Sequence, residues 1–411
     1  MKVFVVVGYN NTRVYDVVRL RGLAKERYGA GLALIAEAAS SLDDEAADTV
    51  ILTSLAEATL DQTFEQVVRT LRTSGLQPVG ILPFSDRGVL LGARLSEFYS
   101  LPGASPTEAR TGIDKQVFRA LDLTSAHPAG YRPVGYERVE DLSAFRESTR
   151  RMGGRAFVKP AREGASRGCR VVLEPDACAT VWPEIARYAA EGIIVEELVT
   201  DAREYSWDHV AGVTWITEKE TTNDSYRAEI QQIVPAPLDD DAHAAIDAAG
   251  KHMRLLSSVR HGAYHNEVFL RACGTSSAVE VNMRPGGMHI WDLARFSFAD
   301  FDPWIRWLEW SLSAPTQPAT TLRPIRYSGI RMLRARSDGV VRSLPKIDLP
   351  KNASTVHEIS FSVAPGVAVN AQIADNHAFV GHVIASNPDH ACLKADLLNI
   401  ADALEQALII A

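Results

Sequence analysis

Glu267 and Glu280 flank a short turn centred near Cys273–Gly274, and a hairpin about that turn sets them opposite each other. Like charges placed directly across a sheet are destabilising. Their neighbours Val268, Leu270, Val279 and Val281 are apolar, so the ribbon is not simply solvated. Two facing carboxylates in that setting call for a cation. Side chains alternate along a strand, which puts Asn282 and Arg284 on the face of Glu280. Glu267, Glu280 and Asn282 then offer only hard oxygen ligands, a set that suits Mg²⁺ held together with substrate phosphates. The plainer alternative is two exposed glutamates on an edge hairpin.

A second candidate runs from Arg155 to Val172. An apolar strand delivers Lys159, a loop follows with Gly164, Ser166 and Gly168, and a strand returns. Glycines let backbone N–H groups approach phosphate oxygens, and a lysine adds a point charge. No G-x-x-x-x-G-K-[ST] string occurs, and an ordinary turn explains the glycines equally well. The third candidate is Ile193–Val199, an apolar strand running into Glu196, Glu197 and Leu198, with Glu204 beyond it. Its backbone would suit a base edge and Glu204 a ribose; a solvated strand end is the alternative. His265 shares the face of Glu267 and reads as support rather than catalyst. Trp304, Trp307 and Trp310 have the spacing of a packed helix face, and Asp239–Asp241 that of a helix start. Gly8-Tyr9-Asn10-Asn11 lacks a G-x-G-x-x-G pattern and reads as an ordinary strand-to-helix turn.

The elements that must position these residues fall into three blocks: 1–107, 108–312 and 313–411. The first alternates strands at Lys2–Val7, Val50–Thr53 and Pro78–Pro83 with a helix at Phe64–Ser74. Continuous apolar strands separated by helices predict a small parallel α/β sheet. The second block opens with a helix near Asp114–Leu121 and an exposed turn at Arg132–Arg138. It then turns to antiparallel β, with hairpins pairing 155–159 with 169–173, 204–210 with 213–219 and 267–271 with 278–283. The third block is β-rich and ends in a helix from about Ala391 to Ile410.

At about 150 residues per domain, 411 residues make two or three domains. Hydrophobic residues at 46% and charged residues at 23% are those of a soluble globular protein, which excludes disorder and collagen. Acidic residues outnumber basic ones by 51 to 43, which argues against nucleic acid as a partner while leaving room for a local basic pocket. The four cysteines are scattered without a C-x-x-C pair, so cysteine-based metal ligation has no support and a reducing compartment fits. The apolar run in MKVFVVVGYN is too short for a secretory signal, and no uncharged run approaches the roughly 20 residues of a membrane span. A cytoplasmic location without membrane contact is expected.

Taken in order, these pieces resemble the ATP-grasp superfamily of carboxylate–amine ligases over roughly residues 108–312. The matching segments are Asp114-Lys115, Phe157-Val158-Lys159-Pro160 with Gly164 to Gly168, Val195-Glu196-Glu197-Leu198, Glu204, and E-x-N-x-R at Glu280–Arg284. Asn282-Met283-Arg284-Pro285-Gly286-Gly287 is similar to the bacterial L-amino-acid ligases that make dipeptides, as are a lid-like stretch at Ile216–Lys219, prolines at 235 and 237, and Gly381–Ile384. The resemblance implies an ATP-grasp fold in the α/β and α+β class. Its parts would be an N-terminal parallel α/β domain (1–107), an antiparallel ATP-binding core (108–312) with a lid at about 150–195, and a small β-rich C-terminal domain (313–411). It implies ATP, with Lys115, Lys159, Gly164 and Ser166 on the phosphates, Glu196, Glu197 and Leu198 at the base, and Glu204 at the ribose. Glu267, Glu280 and Asn282 would hold one or two Mg²⁺, with Mn²⁺ as a substitute. Arg284 would be catalytic, stabilising an oxyanion or acyl-phosphate, and with Gly286, Gly287 and Met288 would bind substrate. Met288 stands where some dipeptide ligases carry a bulky aromatic. The implied reaction activates an amino-acid carboxylate as an acyl-phosphate and joins it to the amine of a second amino acid; acylation of a carrier protein or peptide terminus is the alternative. The implied partners are small-molecule carboxylates and amines, and a second copy in a homodimer.

Overall fold

The computed structural model describes residues 1–411 apart from 10–12, 165, 225, 314–320, 347 and 352. Asn10 and Asn11 of the first turn therefore lie outside the described residues. The first strand, β1 (Lys2–Tyr9), is apolar at almost every position, and it is buried on both faces. It lies between β2 (Gly31–Ala36) and β4 (Gln77–Pro83), with β3 (Thr49–Leu52) outside β2. All three pairings are parallel. Helices Leu60–Thr73 and Val89–Phe98 cover one face through Val67, Leu71, Leu91 and Leu95. The parallel sheet read from the alternation of strands and helices is the one observed.

A second sheet is antiparallel, with β5 (Tyr136–Val139), β6 (Ala156–Pro160), β7 (Arg170–Val172) and β8 (Ile193–Glu197) in the order β5-β8-β6-β7. Phe145, Ile185, Val158 and Val195 form its core with two covering helices. The exposed turn expected at Arg132–Arg138 is corrected here. Tyr136–Val139 pairs with Ile193–Glu196, and Val139 is buried, so the apolar side of this segment finds a strand partner instead of solvent.

The largest sheet begins with β9 (Ala202–Val210), β10 (Val213–Thr221), β11 (Glu229–Val234), β12 (Ala263–Arg271) and β13 (Ser276–Glu280). The C-terminal strands are β14 (Tyr327–Leu333), β15 (Gly339–Ser343), β16 (Thr355–Phe361), β17 (Ala368–Val369), β18 (Gly381–Asn387) and β19 (Ile409–Ile410). Three of them continue the large sheet, whose order is β13-β12-β9-β10-β11-β14-β18-β16, while β17, β15 and β19 form a small separate sheet. Ile216–Lys219, expected as part of a lid, lies instead in the middle of β10, hydrogen-bonded on both sides. Its side chains are buried on both faces, which a mobile flap would not allow. Helix Asp240–Ser257 is capped by Asp239, and Trp304 and Trp307 are buried on the helix Pro303–Ser311. Among the described residues, no helix is long and apolar enough to cross a membrane.

Candidate active site

The parallel sheet, the β5-β8-β6-β7 sheet and the large sheet surround a cleft of about 1870 Å³. Every site residue read from the sequence lines it except Gly286. Gly286 lies just behind the wall, where an added Cβ would come within 2.9 Å of His265 Nδ1 and 3.0 Å of Ile290 Cδ1. The chain packs closely there, and the next two residues, Gly287 and Met288, line the cleft.

Glu267 does face Glu280 across β12 and β13. Nearer the turn, Phe269 faces Ser277 and Val268 faces Ala278, so one extra residue, Val279, is inserted before the two acids meet. Such a bulge bends the strand and frees a carbonyl from the ladder. The freed Val279 carbonyl accepts from Lys159 Nζ at 3.2 Å and from Arg119 Nη2 at 2.9 Å. The bulge thus ties the lysine of β6 to the acidic hairpin.

Each acid of the pair is met by an ammonium group. Lys115, the first residue of helix Lys115–Thr124, places Nζ 3.0 Å from Glu280 Oε1 and 2.6 Å from the Glu163 carbonyl in the glycine loop. Burial works against its charge, but Glu280 outweighs that and holds Lys115 above its ordinary pKa. Glu267 meets Lys219 of β10 at 2.8 Å, and the same Nζ reaches Glu204 at 2.6 Å and contacts Glu229. The burial penalty on Lys219 is overcome by these three carboxylates, which raise it well above its usual value. Glu204 is raised, mainly by burial. Burial would raise Glu267 too, but Lys219 and His265 hold it below the carboxylate range. His265 Nδ1 lies 2.8 Å from buried Asp208; desolvation opposes its protonation, yet Asp208 pushes it up to about 9.

Glu196 is buried between Arg119 Nε at 2.7 Å and Lys159 Nζ at 2.9 Å. Despite its burial, those two cations keep its carboxyl below its ordinary pKa. Glu197 turns outward to Arg132 at 2.5 Å, and Leu198 follows the end of β8 on the cleft wall. Ser166 and Gly168 both adopt positive φ, 60° and 70°, in the loop after Lys159.

Arg284 is held by Asp86, with Nε 3.0 Å from Oδ1 and Nη2 3.2 Å from Oδ2, and it also reaches Asn282 Oδ1 at 3.3 Å. Burial opposes both charges, and each partner overcomes it: Asp86 is lowered and Arg284 raised. Sequence reasoning missed Asp86, Lys219 as a site residue, and Arg119. Only Asp86 carried a local signal, because it follows the C-terminal end of the parallel strand β4, where open α/β sheets place ligands.

The donor set suits a hard cation. Glu267, Glu280 and the Asn282 amide oxygen lie together on one wall, and both acids have drawn in ammonium groups, which marks this wall as a place that stabilises positive charge.

No family model matches the sequence, and no curated protein matches it. Solved structures do match in fold. An L-amino acid ligase from Bacillus licheniformis superposes with a TM-score of 0.78 at 15% identity, over 100% of this chain and 98% of that one. An N5-carboxyaminoimidazole synthetase from Staphylococcus aureus complexed with ADP gives 0.68 at 12% identity, over 97% and 96%. The biotin carboxylase domain of a Hydrogenobacter thermophilus 2-oxoglutarate carboxylase, in complex with MgADP, gives 0.66 at 13% identity, over 100% and 90%. At such identities the likeness concerns architecture, and the architecture of this chain is the ATP-grasp fold.

Proposed function

We propose that this chain is an ATP-dependent ligase that activates a carboxylate as an acyl-phosphate and couples it to an amine, with an amino acid in each role. The observation that carries the reading is the convergence of Lys115, Lys159, Glu267, Glu280, Asn282 and Arg284 on one cleft. Lys115 and Lys159 come from different elements, yet both are linked to the acidic hairpin, so one anionic ligand can meet them together.

ATP would lie with its phosphates against Lys115, Lys159 and the loop at Gly164 and Ser166, where backbone N–H groups and two ammonium groups would neutralise charge. Leu198 and the backbone after Glu196 and Glu197 would meet the base, and Glu204 the ribose. Glu267, Glu280 and Asn282 would hold one or two Mg²⁺, or Mn²⁺ in its place. Bound there, the metal supplies charge neutralisation to the phosphoryl group in transfer. Arg284, oriented by Asp86, would stabilise the negative oxygen as the amine attacks the activated carbonyl. Gly287 and Met288 would contact the first substrate, with Gly286 fixing their position. The 155–173 hairpin would close over the reacting groups and exclude water from the anhydride.

The test is release of ADP and phosphate across a matrix of amino-acid pairs, with mass analysis of the products. Phosphate release matched by amide formation for at least one pair is expected. ADP without amide for every pair would transfer support to an acceptor on a carrier protein or peptide terminus, and no ATP turnover under any pairing would refute the ligase reading.

A further inference from the structure

Beside Met288 on the cleft wall, three side chains from separate segments meet. His289 precedes the helix Ile290–Ser297, Glu358 lies on β16 and His382 on β18. One ligating atom from each lies within 4.8 Å of the other two, and all three residues line the cleft. His382 Nε2 is 3.3 Å from Glu358 Oε1.

His289 is fixed by its neighbours. Its backbone adopts the left-handed region, with φ of 54°. Tyr15 stacks on its ring at 3.7 Å with 6° between the planes. Asp292 Oδ2 lies 3.6 Å from Nδ1. That leaves Nε2, which is buried and has no hydrogen-bond partner among the described residues, in a residue only 6% exposed. Buried polar atoms rarely lack partners. A carboxylate behind one imidazole nitrogen, with the other left bare, is the arrangement that orients metal-binding histidines.

We propose that His289, Glu358 and His382 form a second metal site, chemically distinct from the glutamate–asparagine set, that takes a divalent transition metal such as Zn²⁺. Two imidazoles and one carboxylate are ligands that Zn²⁺ accepts readily and Mg²⁺ does not favour. Three protein ligands leave a fourth position, and here it opens on the cleft, where a nitrogen, sulfur or carboxylate donor of the bound substrate would fill it. That role in substrate binding rests on the ligase reading; metal binding itself does not. Of the two other histidine-containing clusters among the described residues, Glu229, His265 and Glu267 belong to the acidic site around Lys219, and Asp122, His127 and His252 are a weaker candidate, because Asp122 is already satisfied by Tyr131 Oη at 2.8 and 2.9 Å and by His252 at 3.0 Å.

The test is Co²⁺ titration of the metal-free full chain, without ATP or amino acids, read by visible absorption. The four-coordinate Co²⁺ spectrum is expected to saturate at about one ion per chain, to be displaced by Zn²⁺ and to resist excess Mg²⁺. His382→Ala and the near-isosteric Glu358→Gln should each weaken Co²⁺ binding at least about tenfold, with thermal melts reporting that the variants fold. Glu280→Gln and His252→Ala should keep the spectrum. No such spectrum in the wild-type chain, its survival in Glu358→Gln, or its loss in Glu280→Gln or His252→Ala would overturn the proposal. Because neither ATP nor turnover enters this assay, its failure leaves the ligase reading untouched, and the amino-acid matrix can fail without affecting it.

Discussion

Glu196 holds two buried cations at once, Arg119 at 2.7 Å and Lys159 at 2.9 Å. Removing one partner of a buried ion pair leaves an uncompensated charge, at a cost of about 3–5 kcal/mol. Glu196→Gln should destabilise the protein by that order at neutral pH. The folded carboxyl sits below its unfolded value of 4.5, so its stabilisation is full above that pH and is lost as pH falls through the folded value. Urea unfolding across a pH series should therefore show the gap between wild type and variant closing below pH 4.5; a gap that stays constant would contradict the assignment. Lys219→Met should likewise destabilise by about 3–5 kcal/mol, because Glu204, Glu229 and Glu267 lose their shared cation. Mg²⁺ that binds only the folded state should then raise the Tm of this variant more than that of wild type. Equal Tm shifts would count against a cation site at this position. Glu280→Gln should cut turnover about 100- to 1000-fold in a protein that still melts cooperatively, at a lower Tm because Lys115 loses its carboxylate partner. The sequence put the hairpin and its two acids in place, but the register at the turn, with Leu270 on Ser276, would face Glu267 to Val279, and only the bulge at Val279 brings the two acids opposite each other. Asp86 and Lys219 were not legible in the sequence, because their partners Arg284 and Glu267 lie far along the chain and only the folded sheets bring them together.

The elements carry the site through departures from regularity. The Val279 bulge turns a ladder carbonyl into the acceptor that links Lys159 and Arg119 to the acidic hairpin. Alternation of side chains does not reveal such a bulge, since an extra residue leaves the apolar pattern readable in either register. The hairpins themselves were legible, because β-rich runs broken by glycine turns persist at 155–173 and 202–221. The lid-like reading of Ile216–Lys219 came from the resemblance alone and failed, whereas the hairpin of 204–210 with 213–219 read from the same residues is the one that β9 and β10 form. In the 155–173 hairpin, Gly168 has φ of 70°, and a Cβ there would lie 2.8 Å from both Pro160 Cγ and Tyr188 Cε2. Gly168→Ala should strain the loop by about 1–3 kcal/mol. Limited proteolysis should then cut this hairpin faster than in wild type; an unchanged cleavage rate would show the loop tolerates a side chain.

Across the whole molecule, one sheet links the acidic hairpin at one edge to β16 at the other, through β14 and β18. The C-terminal strands so complete the wall that carries Glu358 and His382. The order of blocks was legible because alternating strands and helices at the start differ in texture from the antiparallel run that follows. The joining of β11 to β14 was not, because strand pairing between distant segments leaves no local mark. The chemistry assigned to the cleft makes a demand on oxygen atoms that no other route meets. If a substrate carboxylate attacks the γ-phosphoryl group, one of its oxygens must leave with the phosphate when the amine displaces it. An amino-acid substrate labelled with heavy oxygen in its carboxylate, turned over with ATP and an amine, should yield inorganic phosphate carrying one labelled oxygen and unlabelled ADP. Amide formed alongside unlabelled phosphate, or label appearing in AMP, would contradict acyl-phosphate chemistry at this site.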